Sequence, residues 1–220
     1  MYHRLNKFPF YQNEELMRKI ITTTFITVDG VMQAPGAPGE DTSGKFQYGG
    51  WSFHYWDEMM GQLMDSFMKM DFELLLGRFT YDIFAAHWPK VHNEPVADHF
   101  NTTRKYVVSR QPRKLEWSNS TLVTGDTMTE IQKIKKEPGH DLWVHGSGNL
   151  IQSLLENNLI DRMHLWIFPV TVGKGKRLFA SGTQPAGLKL IDSKISTTGV
   201  FIGTYEPDGQ LKTGTFALQP

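Results

Sequence analysis

Cysteine is absent from this 220-residue chain, and neither sign of charge is in excess. Without cysteine the protein has no disulfide, no thiol nucleophile and no zinc site with cysteine ligands. Lysine and arginine together number 23, as do aspartate and glutamate. This balance leaves no basic footprint for nucleic acid or an anionic membrane surface. We therefore expect neither nucleic acid nor a membrane among the partners.

Long apolar runs are also missing. No segment is long enough to span a bilayer, and the first residues lack the apolar core of a secretory signal, so we expect a cytoplasmic protein. Hydrophobic residues make up 40% of the chain, with 14 Phe and 6 Trp, which is enough for a sizeable core. We expect one domain over residues 18–208, an extension over residues 1–17 and a tail over residues 209–220.

Several familiar motifs fail as well. Residues 146–148 open like a dinucleotide-binding fingerprint, but Ile151 stands where the third glycine belongs. Residues 173–176 lack the spacing of a Walker loop, and the eight histidines contain no His-Glu-x-x-His. We expect no metal site. Residues 87–99, with three scattered histidines, look like a loop.

What the chain does contain is an alternation of short apolar runs and amphipathic segments. The apolar runs predict strands over residues 19–28, 72–76, 105–109, 121–124, 142–145, 162–170, 188–195 and 200–205. Helical spacing predicts helices over residues 57–70, 78–86, 127–136 and 147–157. This alternation favours a largely parallel sheet covered on both faces. The Ser/Thr/Gly turn at residues 196–199 predicts an antiparallel hairpin near the end.

Three turns, each after a predicted parallel strand, carry groups that suit phosphate. They contain Gly77, Arg78 and Thr80; Ser109 and Arg110; and residues 146–149. Glycine lets the backbone approach an anion closely, and the arginine guanidinium can bind two phosphate oxygens at once. The N-terminus of a helix attracts negative charge. Ligands of open α/β sheets bind at this edge of the strands. A ligand with several phosphate groups, such as NADPH, fits three such turns.

A long irregular stretch at residues 31–56 is rich in glycine and aromatic residues. Loops of this length inside a compact domain are usually functional or mobile. We expect it to order over a pocket, with Trp51, Phe53 and Trp56 as a wall of the substrate site. The alternative, weighted equally, is simple hydrophobic packing of a lid.

Three candidate proton donors lie at or just after the end of this stretch: Tyr55, Asp57 and Glu58. A bound water is a fourth candidate, and the sequence does not rank the four. Asp57 directly precedes a predicted helix, so an N-cap is its simplest structural role.

The turns resemble signatures of the dihydrofolate reductase superfamily, and more closely the bacterial branch that includes the reductase domain of the bifunctional riboflavin-biosynthesis enzyme. The matching segments are Thr27-Val-Asp-Gly-Val31, Leu75-Leu-Gly-Arg-Phe-Thr-Tyr81, Lys105-Tyr-Val-Val-Ser-Arg110 and Val144-His-Gly-Ser-Gly-Asn-Leu150. The resemblance covers residues 19–207. It implies a three-layer α/β sandwich around a mostly parallel sheet of about eight strands with an antiparallel C-terminal hairpin. It also implies NADPH as hydride donor and favours a homodimer.

The resemblance further implies which residues hold the cofactor. The cofactor phosphates would be bound by Gly77, Arg78 and Thr80. The adenosine 2′-phosphate would be bound by Ser109 and Arg110. The pyrophosphate and the nicotinamide side would be surrounded by Gly146, Ser147, Gly148, Asn149 and Leu150. Asp29 and Gly30 would begin the loop beside the nicotinamide.

These observations predict an NADPH-dependent reductase that transfers a hydride to a C=N or C=O bond of a small heterocycle. Dihydrofolate and 5-amino-6-(5-phosphoribosylamino)uracil are two candidate substrates, and a dinucleotide-binding protein without turnover is a further alternative. The loop before Asp57 lacks the Leu-Pro-x-Asp/Glu stretch of dihydrofolate reductases. The chain also lacks the cysteines of the zinc deaminase domain that the riboflavin enzyme carries. The substrate therefore stays open.

Overall fold

The computed structural model describes residues 17–179 and 183–216. Most of the predicted extension and the last residues of the predicted tail lie outside the described residues. The strands are β1 Ile20–Thr27, β2 Phe72–Gly77, β3 Lys105–Val108, β4 Ser120–Val123, β5 Asp141–His145, β6 Arg162–Phe168, β7 Leu188–Ile195 and β8 Phe201–Pro207. The α-helices are α1 Glu58–Met68, α2 Arg78–His87, α3 Pro95–Thr102, α4 Thr127–Lys136 and α5 Gly148–Glu156.

The strands form one sheet in the order β4-β3-β2-β5-β1-β6-β8-β7. The first six strands in this order are parallel to their neighbours, whereas β8 runs antiparallel to both β6 and β7. This architecture confirms the predicted mostly parallel sheet with an antiparallel C-terminal hairpin. It also brings the C-terminal ends of β3, β2 and β5 side by side.

Helices cover both faces of the sheet, and each face has its own core. Because strand side chains alternate, Leu74 and Leu76 pack with α1, α2 and α3, whereas Leu75 packs with α4 and α5. The first layer is strongly aromatic, with Trp143 and Trp166 fully buried in it, and the second is mainly aliphatic. Most of the residues predicted to contact the substrate lie on the side of the aromatic layer, which α1 covers.

The expectation of a loop over residues 87–99 was wrong, because α3 begins at Pro95. A proline fits the first turn of a helix, where its missing N–H is not needed. Ala97 and Phe100 are buried on one side, and the His99 ring packs 4.1 Å from the Phe72 ring. So short a helix depends on tertiary burial more than on propensity, which is why its sequence pattern is weak.

A lysine ammonium is buried at the start of β3. Lys105 has no exposed surface, and its Nζ donates to the carbonyl oxygens of Thr103 at 2.7 Å and Ser118 at 3.1 Å. The same atom lies 4.4 Å from the centroid of the Trp117 ring. Desolvation of the charged form lowers the pKa of Lys105 to about 8.

This burial predicts a pH-dependent stability. Below pH 8 the ammonium is charged in both the folded and the unfolded state, so its desolvation cost is fully present. Between pH 8 and 10.5 the folded protein binds fewer protons, and the free energy of unfolding should rise by at most about 3 kcal/mol from this group. Urea denaturation across that range measures it. Lys105→Met should lack this increment; an identical pH slope in both proteins would contradict the prediction.

Candidate active site

Two of the three predicted turns touch each other at the C-terminal edge of the sheet. The Gly77 N–H at the end of β2 donates to the Ser147 hydroxyl after β5, with an N···O distance of 2.9 Å. A Cβ on Gly77 would lie 3.2 Å from that same oxygen, so a larger residue would crowd the junction. The Gly77–Ser147 bond therefore joins the starts of α2 and α5.

Both of these helices begin without a side-chain cap. Gly77 has no side chain to cap α2, and the Ser147 hydroxyl is turned toward Gly77 rather than toward α5. The N–H groups of residues 148–150 precede the first helical bond of α5, which runs from Ile151 N–H to the Ser147 carbonyl oxygen at 3.0 Å. Such N–H groups, together with the positive end of the helix dipole, attract anions.

The turn before α5 is held in an unusual backbone conformation. Gly146 and Ser147 have φ values of 66° and 62°, both in the left-handed region. This region costs a residue with a side chain about 1–2 kcal/mol, and strain of this kind clusters at functional sites. A Cβ on Gly148 would lie 2.8 Å from Met32 Sδ, so the long loop closes down on the first turn of α5.

The other residues predicted at this turn have different environments. Asn149 is exposed. Leu150 is 6% exposed and packs in the aliphatic layer, so only its backbone N–H is available to a ligand at the helix start. A Cβ on Gly146 would lie 3.9 Å from Thr80 Oγ1, which puts Thr80 beside the turn.

The second predicted turn follows β3 on the next strand. Ser109 is buried, and its hydroxyl is occupied within the turn, donating to the Gln111 carbonyl oxygen at 2.8 Å. Arg110 is exposed. Arg78 is also exposed, and its guanidinium lies 3.7 Å from the Asp82 carboxylate. Asp82 is shared with Arg113, a cation near this turn that the sequence analysis did not identify.

Asp29 fastens the loop after β1 to residues 171–178. Its carboxylate accepts hydrogen bonds from the Thr27 hydroxyl and from Gly173 N–H at 2.9 Å, and it lies 3.6 Å from the Arg177 guanidinium. The hydrogen bonds, first that of Thr27, hold the pKa of Asp29 below its usual range. Gly30 follows with a φ of 81°, which glycine adopts readily.

Residues 31–56 are ordered by a buried amide. The Gln33 side chain donates to the carbonyl oxygens of Asp41 at 3.1 Å and Ser43 at 2.9 Å, and it accepts from Lys176 N–H at 3.0 Å. Lys176 Nζ in turn lies 2.6 Å from the Asp41 carboxylate and 4.7 Å from the Phe79 ring centroid. The two loops are thus tied to each other and to the start of α2.

The three aromatic residues predicted to form a substrate wall are not equivalent. Trp51 is 9% exposed; its Nε1 donates to the Gln33 carbonyl oxygen and its ring packs against Phe168. Phe53 is 72% exposed. Trp56 is 42% exposed and stacks on Trp166 at 5.9 Å. The packing alternative therefore fits Trp51, and the substrate role stays a prediction for Phe53 and Trp56.

The predicted proton donors have local partners. Asp57 caps α1 by accepting from Met60 N–H at 2.9 Å, and its other oxygen accepts from the N–H and hydroxyl of Thr197 at 2.8 and 2.7 Å. These bonds, first that of Met60, hold the pKa of Asp57 below its usual range. These bonds give Asp57 a structural role, since it joins α1 to the hairpin turn between β7 and β8; its role as a proton donor stays a prediction.

The remaining two candidates stay predictions. Glu58 is exposed and accepts from the Gln62 side chain at 3.1 Å. The Tyr55 hydroxyl donates to the Pro169 carbonyl oxygen at 3.4 Å. The Tyr55 bond is longer than an ordinary O–H···O hydrogen bond, so it fixes that side chain weakly.

His145 borders the candidate site and was not among the residues predicted from the sequence. It is the last residue of β5 and directly precedes the Gly146–Ser147 turn. Its Nε2 is buried and has no hydrogen-bond partner among the described residues. Burial lowers the pKa of His145 to about 3, so the ring is neutral near pH 7. In the sequence, the one indication is that this polar residue ends an apolar strand directly before a glycine turn.

Within residues 17–179 and 183–216, no three His, Asp or Glu side chains are grouped so that they could hold a metal ion. The same ranges contain no helix with the length and apolar character that a membrane crossing requires.

The fold and the glycine turns define a dihydrofolate reductase-like protein. A Shewanella sp. PV-4 protein associated with riboflavin biosynthesis superposes with a TM-score of 0.63 at 22% identity, covering 86% of this chain and 99% of its own. An Enterococcus faecalis dihydrofolate reductase, solved with NADP(H), superposes with a TM-score of 0.55 at 12% identity, covering 86% and 96%.

The chain belongs to the family of the RibD C-terminal domain, whose model matches residues 18–202. The uncharacterized protein YyaP of Bacillus subtilis (strain 168) is 27% identical over 201 residues, which is 90% of this chain and 99% of YyaP. The resemblance stated from the sequence is thereby confirmed at the level of family and fold.

The strained turn gives a prediction for stability. Ser147→Ala and Ser147→Gly both lose the bond to Gly77, but only glycine relieves the left-handed conformation. Ser147→Gly should therefore be more stable than Ser147→Ala by about 1 kcal/mol. Urea denaturation of the two proteins measures the difference. Equal stabilities would mean that the turn relaxes in the alanine protein.

Proposed function

We propose that this protein is an NADPH-dependent reductase that transfers a hydride to a C=N or C=O bond of a small heterocyclic substrate. The observation that carries the proposal is the Gly77–Ser147 bond, which leaves two helix starts uncapped at one edge of the sheet. Support also comes from membership of a reductase family and from the Enterococcus faecalis relative that binds NADP(H).

The chain's own groups suit such a cofactor. The uncapped N–H groups of α2 and α5 fit a pyrophosphate, and Gly146 adds no side chain at the turn before α5, where the nearest neighbouring atom to a Cβ would be Thr80 Oγ1 at 3.9 Å. The exposed guanidinium group of Arg110 fits the adenosine 2′-phosphate, and that of Arg78 fits another phosphate of the cofactor. Charge and space at this edge are therefore consistent with a dinucleotide that carries a pyrophosphate and a 2′-phosphate.

The residues contribute mainly positioning and exclusion of water. NADPH, when bound, supplies the hydride. The Gly146–Ser147 turn would position the nicotinamide end of the cofactor, and Met32 of the long loop lies against the first turn of α5. The Asp29, Gln33 and Lys176 contacts hold that loop and residues 171–178 together over the site, which limits water. The hydrogen bonds of Asp57 favour its carboxylate form, and Tyr55, Asp57, Glu58 and a bound water remain the candidate proton sources.

The substrate is proposed only as a class. Dihydrofolate and 5-amino-6-(5-phosphoribosylamino)uracil remain specific candidates, and a homodimer remains a prediction of the family resemblance. The test compares NADPH oxidation with each compound. A protein that binds NADPH but reduces no compound in a broad heterocycle panel would instead be a dinucleotide-binding protein without turnover.

Cofactor choice gives the sharpest test. Thermal-shift and fluorescence titrations should give tighter binding of NADPH than of NADH. Arg110→Ala should weaken NADPH binding by about 10- to 150-fold, since a charge-assisted hydrogen bond contributes about 1.5–3 kcal/mol, and it should leave NADH binding unchanged.

Arg104→Ala is the matched control, because Arg104 is an exposed arginine just before the opposite end of β3. It should change neither affinity. Equal losses for NADPH and NADH in Arg110→Ala would refute a 2′-phosphate contact, and failure of both dinucleotides to bind the unaltered protein would remove the cofactor assignment.

A further inference from the structure

A row of four polar side chains crosses the sheet beneath α1. The strand registers pair His145 of β5 with Thr23 of β1, Thr23 with His164 of β6, and His164 with Thr204 of β8. The rows on either side are apolar: Ile21 pairs with Trp143, and Phe25 pairs with Trp166. We call these four residues the polar row.

The polar row lies in the aromatic layer of the core. The His164 ring is 4.8 Å from Phe67 of α1. The His145 ring is 5.1 Å from Phe100 of α3. Thr23 shares this face because it alternates with Ile21, which packs in the same layer. Polar groups in such surroundings are costly unless they find hydrogen-bond partners.

Only one end of the row is satisfied. His164 Nδ1 lies 3.0 Å from the Thr204 hydroxyl. Thr23 Oγ1 and His145 Nε2 are buried and have no hydrogen-bond partner among the described residues. An unpaired buried polar group costs about 1–3 kcal/mol; Thr23 and His145 combine two such groups on neighbouring strands, beside the Gly146–Ser147 turn.

The unsatisfied end borders the proposed active site. His145 is followed at once by the Gly146–Ser147 turn, and the Gly146 N–H approaches the Thr23 carbonyl oxygen at 3.4 Å. His145 as a whole is partly exposed, although its Nε2 is enclosed. His145 therefore connects the polar row to the turn at which the proposed cofactor would bind, and Thr23 is its direct neighbour on the next strand.

The row is also uncharged. Burial lowers the pKa of His145 to about 3 and that of His164 to about 4. A neutral imidazole offers one donor and one acceptor, and a hydroxyl offers both functions. The pair can therefore meet a donor and an acceptor that lie side by side on a ligand.

We propose that Thr23 and His145 determine substrate specificity by hydrogen-bonding the polar edge of the substrate, and that they select flat heterocycles in which a ring N–H adjoins a carbonyl. This inference rests on the proposed reductase function, because it uses the same site. A substrate without that edge leaves both side chains unpaired, which is the condition under which binding sites discriminate most strongly.

The test uses Thr23→Val, His145→Phe and His145→Gln in the full chain. Thr22→Val is a matched control, since Thr22 is the neighbouring threonine, is equally buried and unpartnered, and alternates onto the opposite face. With uracil, lumazine and pterin derivatives as probes, Thr23→Val and His145→Phe should raise KM about tenfold, the loss expected for about one hydrogen bond.

The affinity for NADPH should stay within about twofold in all variants, because no phosphate contact is altered. His145→Gln should recover part of the loss, since an amide also donates and accepts. Binding of the probes to the NADP⁺-saturated protein, followed by tryptophan fluorescence, gives the same comparison without turnover.

The outcomes separate the two proposals. If the unaltered protein binds no NADPH, the proposed function fails. If it binds NADPH but Thr23→Val behaves like Thr22→Val toward every probe, or if no probe binds, the specificity role is wrong and the polar row is structural. Selective weakening of probes that carry the N–H and carbonyl edge supports it.

Discussion

The candidate site depends on one hydrogen bond, from the Gly77 N–H to the Ser147 hydroxyl. A serine before a helix normally caps that helix. Here Ser147 adopts a left-handed conformation, and its hydroxyl reaches across to the neighbouring turn. The same bond therefore couples α2 to α5 and leaves the N-terminus of α5 without a side-chain cap. The strain of the turn and the missing cap are consistent with a site in which an anion supplies the lost interaction.

The loops around this edge are organised by polar contacts rather than by secondary structure. Asp29 binds the backbone of residues 172–173, and Gln33 binds both its own loop and Lys176. Each contact joins a segment near residue 30 to one near residue 175, so the long loop and the loop after β6 act as one cover. Asp57 has a comparable role at the start of α1, where it binds Thr197. Asp29, predicted beside the cofactor, thus helps to hold the cover in place, and Asp57, a predicted proton donor, joins α1 to the turn between β7 and β8.

Some of these features were predictable and others were not. Glycines after apolar runs predicted the turns at residues 77 and 146, because glycine commonly ends a strand pattern at a turn, although only Gly146 has a positive φ. The eight-residue helix α3 was missed because its pattern is short and its stability comes from Phe100 and Ala97 packing on the sheet. Trp51 looked like a ligand contact, yet it is core, since only the folded loop brings Phe168 against it. His145 gave a single weak signal, and its unpaired nitrogen exists only once α3 covers it.

The amino-acid sequence by itself determined the order of strands and helices, the mostly parallel sheet and the positions of the phosphate-suited turns. These follow from local periodicity and glycine placement, which act over a few residues. Only the tertiary structure decided that Ser147 binds Gly77 instead of capping α5, that Asp57 is a structural carboxylate, and that Thr23 adjoins His145. These facts depend on contacts between residues 70 to 140 positions apart, and such contacts exist only after the sheet has fixed the strand order and register.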